Sequence, residues 1–179
     1  MIVDGYNVIH AWPVLKRALQ ESGLEDARRQ LLRSMAEYAA QTGDAVTVVF
    51  DSHGRSSGVQ TEVVDGVTVQ YGSSTATADH VIERLAYDAA RSGGADGVIV
   101  ATSDRLQREM VSAMGVATMS ALALQDEVAR VRATQEQTSG GLRHAATQAR
   151  RLEDGLSDET RRRLEQMRRG QSSDADHTG

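Results

Sequence analysis

Three apolar runs that each end at an aspartate constrain this chain most. Ile2-Val3 runs into Asp4, Val46-Thr47-Val48-Val49-Phe50 into Asp51, and Val98-Ile99-Val100-Ala101 through Thr102-Ser103 into Asp104. The third run shows no polar alternation, as expected of a strand covered on both faces. Parallel strands of an open α/β sheet bring their carboxyl ends to one edge, where ligands bind. Aspartates distant in sequence are thereby placed to form one acidic cluster.

The segments between these runs carry helical periodicity. A short helix is expected from Trp12 to about Gln20, with Pro13 in its first turn. Glu25 to Gln41 repeats Leu31, Leu32, Met35, Tyr38 and Ala39 at helical spacing and stops at Thr42-Gly43. Thr77 to Arg91 places Val81, Ile82, Leu85, Ala86 and Ala89 on one side. Asp104 to Met114 is closed by Gly115, and Ser120 to Arg132 forms a further helix. Besides the three runs, strands are expected at Gln60–Val64 and Val67–Tyr71, flanking Asp65-Gly66 as a hairpin or kinked edge strand, and at Val116–Met119. Polar, glycine-rich Ser52–Gly58 and small-residue Gly72–Ala76 read as loops. This order of elements implies an α/β fold with a mainly parallel sheet and helices on both sides.

The 179 residues suit one domain with an appendage. Residues 1–133 carry the α/β pattern. Thr138-Ser139-Gly140-Gly141 then reads as a linker. Leu142–Leu152 and Ser157–Arg169 read as charged helices within an arginine-rich extension over 134–170. Residues 171–179 form a polar tail expected to be disordered.

Charge follows the same division. Residues 1–129 hold 10 basic against 17 acidic residues, a net of −7, whereas 130–170 hold 10 arginines against 6 acidic residues, a net of +4. Such an extension is either a solvated amphipathic surface or a phosphate-binding one. With no cysteine, disulfides and thiolate metal sites are excluded. No apolar stretch is long enough to span a bilayer and no signal-peptide pattern is present, so a cytoplasmic location is expected.

A fourth acidic candidate, Asp79, opens the Thr77–Arg91 helix and shares a face with Glu83, four residues on. Asp4, Asp51, Asp79 and Asp104 would surround one point and repel each other unless a cation lies between them. Hard oxygen donors without cysteine or a matched histidine pair suit Mg²⁺ or Mn²⁺. Such an ion orients water and stabilises charge on a phosphodiester being cut. Asn7 is placed to ligate or to orient a water. Thr102 and Ser103, at a helix N-terminus, favour a phosphate, and Arg55 in the loop after Asp51 is either a contact to a phosphate backbone or an ordinary surface charge. Singly, each aspartate reads more readily as a turn or cap residue; their joint occurrence at sheet-edge positions favours function.

Several other residues keep two readings. Arg28 either reaches the site or pairs with Glu25. Trp12 and Tyr6 either stack a base or pack the core. His10, His53, His80, His144 and His177 share no metal-binding spacing.

Rival acid-edge chemistries fail on missing residues. A haloacid-dehalogenase-type phosphatase needs a second aspartate where Tyr6 stands. A response-regulator receiver needs a late lysine, and none follows Lys16. The glycine-rich dinucleotide fingerprint and the Walker A motif are both absent.

The motifs Val3-Asp4-Gly5-Tyr6-Asn7-Val8-Ile9, Ala11-Trp12-Pro13, Glu25-Asp26-Ala27-Arg28, Val48-Val49-Phe50-Asp51, Thr77-Ala78-Asp79 with Glu83, and Ala101-Thr102-Ser103-Asp104 together resemble the YacP-like NYN domains of the PIN-like nuclease group, over roughly residues 1–132. The resemblance implies a PIN-like three-layer α/β/α sandwich and a metal-dependent endoribonuclease. Asp4, Asp51, Asp79 and Asp104 match the family's acidic residues. In this picture Asp4, Asp79 and Asp104 hold the ion, Asp51 assists, and the substrate is RNA, with mRNA and the ribosome as expected partners. The chain departs from the family pattern in having only three residues before Asp4, through a trimmed strand or a start codon lying upstream. Two other readings stay open: an RNA- or ribosome-binding module that does not cleave, and a structure-specific DNA nuclease.

Overall fold

The computed structural model describes residues 1–51 and 58–154, with side chains to residue 137. In order, the elements are β1 (Ile2–Asp4), α1 (Gly5–Ala11), α2 (Pro13–Ser22), α3 (Leu24–Thr42), β2 (Thr47–Phe50), β3 (Gln60–Val64), β4 (Val67–Tyr71), α4 (Ala78–Arg91), β5 (Ile99–Ala101), α5 (Arg105–Ala113), β6 (Ala117–Met119) and α6 (Ala121–Asp154). A single 3₁₀ turn, Ala95–Gly97, leads into β5.

One six-stranded sheet runs in the order β3-β4-β2-β1-β5-β6. Every neighbouring pair is parallel except β3 with β4. The three-residue β1 is central: Ile2 and Val3 align with Thr47 and Val48 on one side and with Val100 and Ala101 on the other. Side chains alternate across the sheet. Val3, Val48, Phe50 and Ala101 join Ile9 of α1, Leu15 of α2, Leu31 and Met35 of α3 and Leu124 of α6 in one core. Ile2, Val49 and Val100 join Val81 and Ile82 of α4 and Val111 of α5 in a second core on the opposite face. The result is an α/β sandwich of three layers, as expected. Fully buried Leu31, Ile9 and Ile82 each contribute about 1.5–3 kcal/mol relative to an exposed side chain.

The Asp65-Gly66 connection is a tight hairpin. Both residues have positive φ, 50° and 83°, the pairing that a two-residue primed turn needs.

Two expectations are corrected. The segment between Asp4 and Trp12, for which no element is expected, is not a loop. It is a separate helix, α1, starting at Gly5, with Asp4 as N-cap accepting from the backbone N–H of Asn7 at 3.1 Å. Trp12 then separates α1 from α2. Likewise, Thr138-Ser139-Gly140-Gly141 is not a linker, because α6 continues through it to Asp154. Glycine costs a helix about 1 kcal/mol relative to alanine, and the alanine-, glutamine- and arginine-rich sequence on both sides of the pair contains no proline to stop propagation. The expected Ser157–Arg169 helix, the 171–179 tail and most of the Ser52–Gly58 loop, with His53 and Arg55, lie outside the described residues.

This topology fixes where a ligand can sit. From β1 the chain moves outward to β2 and β4, then returns to place β5 on the other side of β1. The carboxyl ends of β1 and β5 therefore flank the point where strand order reverses, the usual crevice of an open α/β sheet. Among the described residues no helix is long and apolar enough to cross a membrane.

Candidate functional site

All four predicted aspartates lie at the carboxyl edge of the sheet, and three act as helix caps. Asp4 caps α1. Asp104 caps α5, accepting from the backbone N–H of Gln107 at 3.0 Å. Asp51, one residue past β2, accepts from the backbone N–H of Ala78 at 2.6 Å. It thus caps α4 from a distance, since the N-cap residue Thr77 makes no side-chain cap bond. Capping brings three helix N-termini, with their partial positive charge, to the acidic edge.

Short bridges tie the carboxylates together. The Thr102 hydroxyl donates to Asp4 Oδ2 at 3.4 Å and accepts from the backbone N–H of Asp104 at 3.1 Å. Thr102 is 0 % exposed, so its hydroxyl holds the Asp4 carboxylate against the backbone at Asp104. The side-chain amide of Gln107 donates to Asp79 Oδ1 at 2.7 Å. Asn7 Oδ1 accepts from the backbone N–H of Ser103 at 2.7 Å, joining α1 to the β5–α5 turn. Ser103 Oγ in turn accepts from the backbone N–H of Ala121 at the start of α6, at 3.1 Å. Half-exposed Glu83 is tied to none of these groups by a hydrogen bond or ion pair.

The carboxylates also act on one another electrostatically. Burial pushes the Asp4 carboxyl up to about 6. The Asn7 N–H and the Thr102 hydroxyl oppose that rise, while the negative charges of Asp79 and Asp51 add to it. Asp79 is also raised, first by partial burial, then by Asp51 and Asp104, against the pull of His80 and of the Gln107 amide. Half-buried Asp4 is thus the floor of a cluster whose rim is exposed Asp51, Asp79 and Asp104.

Among the described residues no group of three or more histidine, cysteine, aspartate or glutamate side chains is gathered as a ready ligand shell. The donor chemistry nevertheless suits a hard divalent cation. Every candidate atom is an oxygen, Asp4 is held half-buried among like charges, and the buried Oε1 of Gln107 has no hydrogen-bond partner. Mg²⁺ keeps several waters and asks for only one or two carboxylates, so an open set is compatible with it.

The residues with two readings now resolve toward packing. Trp12 is buried, its indole N–H donating to the Ala121 carbonyl at 2.7 Å. Arg28, its side chain 15 % exposed, sits 5.1, 5.2 and 5.8 Å from the ring centres of Tyr6, Phe50 and Tyr71. It also donates to the Tyr6 hydroxyl and pairs with Glu25 at 3.6 Å. This cation–π stack braces the strand end that delivers Asp51. Glycine is required beneath it, because a Cβ on Gly5 would lie 2.2 Å from the Phe50 ring. His80 bonds the Thr77 hydroxyl at 2.8 Å.

Gln107 was missed at the level of sequence. It falls inside an amphipathic helix at a position that reads as core, and nothing in its spacing marks it as polar and buried. A groove of about 700 Å³ lies elsewhere, between α2, α3 and α6, floored by Trp12 and Leu15. Its rim cations Arg29, Arg33 and Arg132 are engaged by Asp26 and Glu37, and it contains none of the acidic edge.

Comparison with known proteins identifies the family and the fold. The model of the YacP-like NYN domain matches residues 1–169. The chain is 35 % identical over 170 residues to YacP of Bacillus subtilis (strain 168), covering 95 % of this chain and 96 % of that one. It superposes on the crystal structure of Rae1 (YacP) from Bacillus subtilis with a TM-score of 0.62 at 32 % identity, covering 98 % of both chains. The W164L mutant of the same protein gives a TM-score of 0.66 at 30 % identity, over 93 % of this chain and 97 % of that one. The six-stranded, mostly parallel sheet flanked by helices is consistent with the fold of that group, and the chain belongs to the YacP-like NYN domain family.

Proposed function

We propose that this chain is a metal-dependent endoribonuclease that cuts RNA at the carboxyl edge of its sheet. One observation carries the reading: Asp4, Asp51, Asp79 and Asp104, from four separate parts of the chain, meet at the sheet's carboxyl edge, where Thr102 joins Asp4 to the Asp104 backbone, Gln107 joins Asp79 to Asp104, Asp51 caps the helix that carries Asp79, and like charges act on Asp4 and Asp79. Membership of a nuclease-type family supports it.

In this reading Asp4, Asp79 and Asp104 hold Mg²⁺ or Mn²⁺. When bound, the ion supplies charge stabilisation on the phosphodiester and lowers the pKa of water. Thr102 keeps Asp4 and the α5 N-terminus in register. Asp51 fixes the start of α4, and with it Asp79, and orients water. Ser103 and Asn7 form the adjoining rim, Glu83 adds negative charge one turn along α4, and Arg55 contacts the RNA backbone. The natural substrate is mRNA, with the ribosome as the setting, and the arginines of 134–170 add phosphate affinity.

Incubating the purified protein with RNA, with Mn²⁺ and with EDTA, tests the reading. Cleavage is expected only with the metal, and is expected to fall at least a hundredfold in Asp4→Asn and Asp79→Asn, by analogy with the loss of other catalytic electrostatic groups. Undiminished cleavage by the double variant contradicts it.

A second reading, an RNA-binding module that does not turn over, draws on the lack of a ready three-carboxylate shell among the described residues. Binding that survives EDTA, with no cleavage of any RNA, selects it.

A further inference from the structure

We infer that Gln107 is a positioning residue for Asp79. Its side-chain amide, rather than any contact needed by the fold, holds that carboxylate for a cation. This deepens the proposed function and rests on it.

Gln107 lies on α5, and Asp79 belongs to α4. The residue is 4 % exposed, an unusual place for an amide. Its backbone N–H caps onto Asp104 at 3.0 Å, a bond that any residue other than proline would make. Among the described residues its side chain has one partner, Asp79 Oδ1, at 2.7 Å. Because that partner is a carboxylate, the atom facing it is the NH₂ group. The other end of the amide, Oε1, is buried without a donor among the described residues.

Fold stability does not account for this arrangement. A buried acceptor left unpaired costs about 1–3 kcal/mol, and an apolar side chain of the same length would avoid that cost. The amide instead fixes one carboxylate oxygen, so Asp79 keeps a single rotamer and its second oxygen stays available. It also donates to a carboxylate that stands among like charges and would otherwise swing toward solvent. Outer groups of this kind orient the residues that touch a metal.

Gln107→Met keeps the length and removes both polar atoms. Mn²⁺ binding to the full chain, followed by the loss of the free-ion paramagnetic resonance signal, is expected to weaken about 10–100-fold. The urea midpoint in EDTA is expected to stay level or rise. Asp79→Asn combined with Gln107→Met should bind Mn²⁺ no worse than Asp79→Asn alone, because the two groups act as one.

Mn²⁺ affinity within about twofold of wild type overturns the inference while leaving the nuclease reading intact. So do additive losses in the double variant, and so does failure of Gln107→Met to fold, since the side chain would then serve the fold. Wild type that binds no Mn²⁺ overturns the nuclease reading and this inference together.

Discussion

Asp4 shows what a single residue at this edge costs the fold. Its carboxyl is raised from 3.8 to about 6, chiefly by burial. The folded state therefore holds the proton more tightly than the unfolded chain does. Stability from this group is greatest below pH 4 and declines as pH rises through 6. A shift of this size corresponds to roughly 3 kcal/mol. Asp4→Asn keeps a good helix cap and removes the buried charge. Urea unfolding in EDTA is expected to show the variant about 1–3 kcal/mol more stable than wild type at pH 8, with the gain gone by pH 4. A gain equal at both pH values would mean that the charge is not its source. Gly5, the next residue, has the opposite sensitivity. Gly5→Ala places a methyl 2.2 Å from Phe50 and is expected to cost about 1–3 kcal/mol by overpacking. A denaturation midpoint unchanged from wild type would contradict the close approach.

At the scale of elements, the site is made by helix starts. The N-termini of α1, α4 and α5 are each capped by an aspartate of the cluster, so the same bonds that begin the helices aim the carboxylates. The Asn7 bond to the Ser103 N–H locks α1 against the β5–α5 turn. Asn7→Ala should lower stability by only about 1 kcal/mol but slow RNA cleavage about tenfold, since the turn carrying Asp104 loses its tether. Equal, small effects on both would make Asn7 a structural residue alone.

Much of this was legible in sequence. The apolar runs and the 3.6-residue periodicity located every strand and all helices but one. The exception, α1, is hidden because Asp-Gly after a strand has the composition of a turn, and only the packing of Val8 and Ile9 into the core makes those residues a helix. The continuation of α6 through Gly140-Gly141 was hidden for the converse reason: local glycine preference was outweighed by good helix formers on both sides. Asp4, Asp51 and Asp104 were legible because strand ends mark the edge, and Asp79 because it opens a helix there. Gln107 was not, because its meaning lies in a partner 28 residues away.

Across the whole molecule, the charge is divided between an acidic body and an arginine-rich stretch, 130–170. If those arginines meet RNA phosphates, replacing Arg161, Arg162 and Arg163 by glutamine should weaken RNA binding. It should also flatten the salt dependence by about 0.7 in log–log slope for each phosphate of single-stranded RNA that is no longer neutralised. An unchanged slope would assign them to another role. The central claim concerns the acidic edge itself. A crystal of the full chain soaked in Mn²⁺, with anomalous scattering recorded, tests it most directly. The account predicts an ion at the carboxyl ends of β1 and β5, with oxygens of Asp4, Asp79 or Asp104 at ordinary metal–oxygen distances, about 2.0–2.1 Å for a Mg²⁺-like site. Ordered density for all of these carboxylates with no ion among them at saturating Mn²⁺ would contradict it.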